Sequence, residues 1–337
     1  MKTFIRLITI LLLLLDSAFA SSVSLLVLDS EGRPLPQVET SVMFRSGAGV
    51  GAAWPVKTAI TDLRGRTKVE GTTPTGFDVW AEKAGYYTAT IRDIPVVGAL
   101  EKTLVLRAVK NPIGLYARRF GNWKNNESVI PAENVVLGFD FEVGDWLPPY
   151  GKGRVTDIQL TYRHEFRGYR YEGKDLEELI GETKAIYARN KEEWTEEKFK
   201  LKAGKWSGEL EISFPGEKEG IVEELEHFMP ASQLKLPHEA PVDGYLPGWK
   251  YTANNFSPTT WRENVGFYLR TRVKLDDRGN LISANYAKVL GDFHFYAQGE
   301  LGFDYYFNPT PNDRNLEFDV KKNLFGEVSP SVTIRDP

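Results

Sequence analysis

Cysteine is absent from this 337-residue chain, and histidine occurs only four times. Without cysteine there is no disulfide, no thiol nucleophile and no thiolate metal site, so the chain must rely on core burial. Beyond the first twenty residues no apolar run approaches the roughly 20 residues that a membrane helix needs. An excess of basic charge is missing as well: 42 Lys and Arg stand against 46 Asp and Glu, which argues against nucleic acid as a partner. His-Glu-x-x-His, Gly-x-Ser-x-Gly and a Walker loop are all lacking, so no familiar catalytic signature is present. His227 and His238 flank a Pro-rich segment whose spacing fits no metal motif, and no metal or cofactor is called for.

What is there begins with Lys2 and Arg6 ahead of the apolar run Leu7 to Leu15, followed by Ala18-Phe19-Ala20. This pattern predicts a secretory signal peptide over residues 1–20, a mature chain starting near Ser21, and a periplasmic or extracellular location. Eight Trp, 15 Tyr and 19 Phe are a high aromatic load, of the kind that suits β-sandwiches and sugar-binding surfaces.

Residues 21–109 read as short strands about ten residues apart with Gly or Pro between them. Val38, Thr40 and Val42 alternate with Glu39, Ser41 and Met43, a period of two. The pattern predicts a small antiparallel sandwich. The set Val27-x-Asp29-x-x-Gly32-x-Pro34-Leu35, Val38 and Val42, Thr61-Asp62-x-x-Gly65 and Lys83-Ala84-Gly85-Tyr86 resembles the carboxypeptidase regulatory-like domain, a transthyretin-like, Ig-like β-sandwich. The resemblance implies an accessory module and carries no catalytic residue across. Arg45 to Trp54 is longer and richer in Gly and Ala than that family's connection. It lacks the Lys-Ser/Thr ending and following helix of a phosphate loop, so it is read as a loop.

Residues 110–337 are expected to form a larger antiparallel β-rich domain with one or two inserted helices, making the fold class mainly β. Asn111 to Asn134 is rich in Asn, Gly and Pro and reads as a linker or edge segment. Strand patterns follow, with Val135, Leu137, Phe139 and Phe141 on one face, then Ile158, Leu160, Tyr162, His164 and Phe166 on another. His164, on an apolar face, is better read as a buried, hydrogen-bonded imidazole than as a base. A helix is predicted near 175–189, capped by Asp175 and Glu178, and the charged stretch after it either extends it or begins a second helix at Thr195. A meander over 265–320 closes the chain. Asn308 to Asp319 within it also resembles segments of exported bacterial proteins that lack an assigned activity, and this resemblance implies a shared domain without a function.

Two places carry candidate chemistry. Asp243 to Trp261 gathers Tyr245, Trp249, Tyr251 and Trp261 among Pro, Gly and Asn; such aromatics can stack on sugar rings, or can simply pin a long connection to the surface. In the meander, pairing Phe295 with Phe303 would set His294 opposite Asp304, and the next hairpin would set Asp304 opposite either Asp319 or Lys321. The first register gathers His294, Asp304, Glu317 and Asp319 on one polar face, able to act as acid and base or to hold a hard cation. The second gives an ion pair.

The sequence thus favours a noncatalytic exported binding or accessory protein whose partner is a polysaccharide or another envelope component, including an envelope protein. A secreted hydrolase using the meander carboxylates, and a structural or assembly role in the envelope, are the alternatives.

Overall fold

In the computed structural model, which describes residues 20–45, 54–73, 76–95, 100–121, 129–225, 231–254, 262, 264–326 and 329–337, the period-two segments become strands. Residues 1–19 of the predicted signal sequence, most of the Gly/Ala-rich loop (46–53), His227 and Trp261 lie outside the described residues. The chain divides into two units, the first comprising the described residues within Met1–Pro112, His227–Lys235 and Asp336–Pro337, the second those within Ile113–Glu226 and Leu236–Arg335. Among the described residues no helix is long and apolar enough to cross a membrane.

The first unit contains β1 (Ala20–Asp29), β2 (Glu39–Arg45), β3 (Val56–Ile60), β4 (Arg66–Thr72), β5 (Gly76–Glu82), β6 (Ala89–Ile94) and β7 (Leu100–Leu106). They form two sheets, one ordered β4-β1-β7 and one in which the short strand Ala231–Ser232 is followed by β6-β5-β2-β3. The sandwich is not wholly antiparallel, because β1 and β7 run parallel. Val23, Leu25 and Val27 of β1 meet Val42, Phe44, Phe77 and Val79 in a fully enclosed core. The recurring Asp-x-x-Gly pairs have a physical explanation. Asp29 accepts hydrogen bonds from the backbone of Glu31 and Arg33, and Asp62 from that of Arg64 and Arg66. Each closes an Asx turn, which Gly32 and Gly65 finish with positive φ. Gly65 is fixed further by space, since a Cβ there would lie 2.5 Å from the Val27 carbonyl oxygen.

The second unit contains β8 (Tyr116–Phe120), β9 (Val136–Asp140), β10 (Asp145–Trp146), β11 (Ile158–Tyr169), β12 (Gly204–Ser213), β13 (Gly220–Leu225), then, after Ala231–Ser232 (β14) of the first unit, β15 (Gly248–Asn254), β16 (Val265–Leu275), β17 (Leu281–Phe295) and β18 (Leu301–Asn308). One sheet is ordered β10-β9-β11-β12-β15, the other β13-β16-β17-β18-β8. Their facing residues share one core. At its centre Phe139 makes edge contacts with Phe120, Phe141, Trp146, Phe303 and Tyr305 at ring separations of 4.8–6.1 Å. Burying each such ring is worth about 1.5–3 kcal/mol.

Two helices interrupt β11 and β12. The first spans Gly173–Asn190, and its cap is Glu172 without a side-chain bond, so Asp175 lies in the first turn and is not the cap. The second spans Glu196–Ala203, and Thr195 caps it by accepting from the Lys198 N–H, as that residue's chemistry predicts.

The meander differs from the expected pairing in three ways. Leu281 to Phe295 is a single strand, its register shifting between Leu290 and His294, where Gly291 adopts φ +77°. The hairpin turn lies at 297–299, one residue earlier than expected, so Phe295 pairs with Leu301 and His294 with Gly302, and beyond the bulge Asp304 pairs with Leu290. On the other side of β18, Asp304 faces Arg119 of β8, so its partner is neither Asp319 nor Lys321. The segment after Asn308 makes only single bridges, Ile113 with Phe318 and Glu239 with Asn315, and is not a strand.

Candidate functional site

Near β8 the two sheets of the second unit leave a cleft of about 490 Å³. Its walls are Arg118 and Phe120 of β8, Val129 and Pro131, and the loop carrying Val143, Gly144, Asp145, Trp146, Tyr150 and Lys152. The volume falls in the range of small-ligand sites.

The loop is a built structure. Asp140, 1% exposed, ends β9 and accepts backbone hydrogen bonds from Glu142, Val143, Arg154 and Val155, so one carboxylate ties both ends of the loop. Asp145 repeats the device on a smaller scale. Its Oδ1 accepts from the Trp146 N–H at 2.8 Å and its Oδ2 from the Lys152 N–H at 2.9 Å. Gly151 and Gly153 have no room for a side chain, a Cβ falling 2.3 and 2.9 Å from the Trp146 carbonyl oxygen. The result holds Tyr150 and Lys152 outward while Trp146 points into the core.

Beneath the loop lies a charge knot. Asp157, fully buried, accepts from Arg272 Nε at 2.7 Å and Nη2 at 2.9 Å, from the Thr271 hydroxyl at 3.2 Å and from the Phe141 N–H at 2.8 Å. Arg272 also bonds Glu142 and lies 3.5 Å from Asp140. Burial pushes the Asp157 carboxyl above the usual carboxylate range, and the Arg272 guanidinium opposes that rise. Arg272 occupies the left-handed region at φ +51°, at the register shift of β16. Such a conformation costs about 1–2 kcal/mol and survives because its side chain joins the loop of one sheet to a strand of the other.

Arg118 reaches the cleft from the opposite wall. It stands across from Tyr305 in register, and hence on the inner face of an edge strand. Its guanidinium lies 6.0 Å from the Phe325 ring. Gly144 makes its passage possible: at φ +67°, a Cβ there would come within 2.9 Å of the Tyr305 hydroxyl and 3.0 Å of Arg118 Cδ and Nη1. The buried Tyr305 hydroxyl donates to the Phe141 carbonyl at 3.0 Å, and burial raises its pKa well above the ordinary value. Tyr150 is 44% exposed, whereas Phe120 and Trp146 are buried at the base. In a cleft lined by an exposed phenol ring, an ammonium and a guanidinium, the ring can pack on the apolar face of a sugar while a cation bonds its oxygens.

The residues singled out in the sequence are distributed otherwise. Gly248 to Asn254 is strand β15, not loop, and Trp249 and Tyr251 face the core opposite Ile212 and Leu210. Tyr251 is 6% exposed and donates to Asp292 at 2.6 Å; Trp249 packs edge-on to Phe267 at 5.3 Å. Tyr245 donates to the Pro241 carbonyl, with Arg270 4.3 Å over its ring. Asp304 is held by both Nε and Nη2 of Arg119 at 2.8 Å. Asp319 caps a 3-10 turn at Val320–Lys322 and pairs with Lys322. Glu317 is fully buried, 4.0 Å from His238. Of the four polar candidates only His294 and Asp304 remain in electrostatic reach. Burial lowers the His294 pKa below its usual value, as does Arg119, while Asp304 and Asp292 raise it. His164 lies between Tyr162 and Trp206 with Nδ1 3.1 Å from Glu133 Oε2.

The cleft residues Arg118, Trp146, Tyr150 and Lys152 went unmarked in the sequence. The signal for the last three was Gly144 to Gly153, GDWLPPYGKG, which has the same mixture of aromatics, Pro and Gly as Asp243 to Trp261.

No protein-family model matches the chain, and no curated protein matches it. Solved structures similar to it include 3-chlorocatechol 1,2-dioxygenase from Rhodococcus opacus, at 13% identity and TM-score 0.22, over 27% of this chain and 61% of that one. A streptococcal ancillary pilin is similar at 16% identity and TM-score 0.19, over 46% of this chain and 56% of the pilin. A candidate carbohydrate-binding protein from Bacteroides uniformis is similar at 10% identity and TM-score 0.20, over 87% of this chain and 98% of that one. The chain thus spans less than two thirds of the first two, and at these scores none of the three bears on activity.

Proposed function

We propose that this is a noncatalytic exported binding protein that takes up glycan in the Arg118–Lys152 cleft of its second unit. The first unit, residues 21–109 with their regulatory-like motifs, serves as an accessory module, and residues 1–20 direct export. The single observation behind the reading is the cleft itself, whose lining combines the exposed Tyr150 with Arg118 and Lys152. Asp304 is engaged by Arg119, Asp319 by its own turn, and Glu317 is buried, which weighs against these carboxylates serving as a glycosidase-like pair. Retention on a panel of insoluble polysaccharides tests the proposal. Wild type should be retained on at least one member, and Tyr150→Ala should weaken that retention about tenfold, equivalent to ~1.4 kcal/mol. No retention at all, or retention untouched by Tyr150→Ala, would overturn it.

A further inference from the structure

We infer that the cleft is shaped from a distance: Arg272 and Glu219, neither of which is among its walls, are positioning residues that hold the loop 141–155 through the bulge of β16. The inference rests on the glycan reading above only in taking that loop as a wall of the ligand site. Three carboxylates converge on the Arg272 guanidinium. It donates through Nε and Nη2 to Asp157 at 2.7 and 2.9 Å and through Nη1 to Glu142, while Asp140 lies 3.5 Å away. Asp157 in turn accepts the Phe141 N–H, and Asp140 accepts those of Glu142, Val143, Arg154 and Val155. Both ends of the loop therefore hang on buried acids whose charge one guanidinium balances. The centre of that guanidinium is 4.7 Å from the Phe307 ring, so a ring and a fork of acceptors fix it together.

The backbone aims the fork. Arg272 stands at φ +51° where the pairing of β16 with β17 shifts between Thr271 and Lys274, and such a bulge re-aims a side chain out of its strand's alternation. The next residue carries the tie to Glu219. The Val273 N–H donates to Glu219 Oε1 at 2.9 Å, and the Gly216 N–H donates to Oε2 at 3.0 Å. Glu219 is buried, so these bonds are shielded from water. A chain of contacts thus runs from Gly216 through Glu219, the bulge, Arg272 and Asp157 to the Phe141 N–H. Every link in it is covalent or a hydrogen bond of 3.0 Å or less, the contiguity that coupling between distant residues needs.

The test is hydrogen exchange of the full chain without ligand, read by mass spectrometry. Arg272→Lys keeps the charge and loses the fork, so amides of 141–155 should exchange at least about tenfold faster while 158–162 and 303–307 stay within about twofold of wild type. Glu219→Gln should speed the same loop about threefold, and the double variant should be no faster than Arg272→Lys, since both act through one side chain. Should Arg272→Lys fail to fold, Asp157→Asn reads the same link, with the same localised result expected. Retention on the polysaccharide that holds wild type should fall as loop exchange rises. A loop unchanged in these variants, or loop and strands faster by one common factor, would overturn the inference. A Glu219→Gln effect confined to 216–220 and 273 would overturn the relay, and a loosened loop with retention intact would overturn its role at the cleft. Wild type retained on no polysaccharide would overturn the glycan reading alone, because the exchange result does not depend on a ligand.

Discussion

Two aromatic stretches of similar composition, GDWLPPYGKG at Gly144–Gly153 and DGYLPGWKY at Asp243–Tyr251, have opposite fates. From Gly248 the second becomes β15, paired with β12 to Asn254, and Trp249 and Tyr251 pack on the core. The first is stopped after the two residues of β10 and closes on Asp140 and Asp145, leaving Tyr150 44% exposed. What separates them is therefore where the backbone hydrogen bonds go. Pairing with a neighbouring strand orders the backbone of one, while the N–H groups of the other go to nearby carbonyls and to the carboxylates of Asp140 and Asp145. An aromatic that must pack to complete a sheet is not available to a ligand, while one carried on a side-chain-tied loop is.

The largest expected effect that sharpens this contrast is Tyr251→Ala. Removing a buried ring and the hydroxyl bonded to Asp292 should cost about 3–5 kcal/mol in urea unfolding, and any folded fraction should bind normally. Tyr150→Ala should leave stability within about 0.5 kcal/mol while weakening retention. If Tyr150→Ala destabilised as much as Tyr251→Ala, the contrast would collapse. Gly144→Ala lies between them. Its positive φ alone costs about 1–2 kcal/mol, and the added methyl displaces Arg118, so both stability and retention should fall.

The smallest effect concerns pH. The folded state holds His294 below its usual pKa by burial, so the neutral form is the one stabilised. That contribution is complete above the unfolded value of 6.5 and is lost as pH falls through the lower folded value. Melting temperature should drop on acidification from about pH 7 to about pH 5, and His294→Gln should flatten part of that drop. An unchanged slope would remove His294 from the account.

Much of the fold could be read from the chain because alternation is a local signal. Ile158, Leu160 and Tyr162, or Phe303, Tyr305 and Phe307, announce a half-buried strand within five residues, and all six are buried. Thr195 announced its helix for the same reason. Pairing was not legible, because it depends on partners far away. β18 takes β8 as its outer neighbour from nearly two hundred residues upstream, out of a stretch that reads as linker or edge. The hairpin turn falls one residue earlier than expected and moves His294 two places from its expected partner, and the bulge at Gly291 moves Asp304 two places further, since apolar alternation constrains parity but not the size of a shift. The candidate site was obscured by the same non-locality: Arg118 looks like one surface cation among 42 until β8 turns it inward beside Gly144. Conversely, Tyr251 resembles a ligand platform only while its segment is taken for a loop.

Hydrogen exchange read by mass spectrometry, with and without soluble fragments of whichever polysaccharide retains the protein, tests the central claim most directly. The account predicts that ligand slows exchange across 143–153 and at 118–120, with 248–254 unchanged because its aromatics pack on the core. Protection confined to 248–254, with 143–153 exchanging as before, would contradict it.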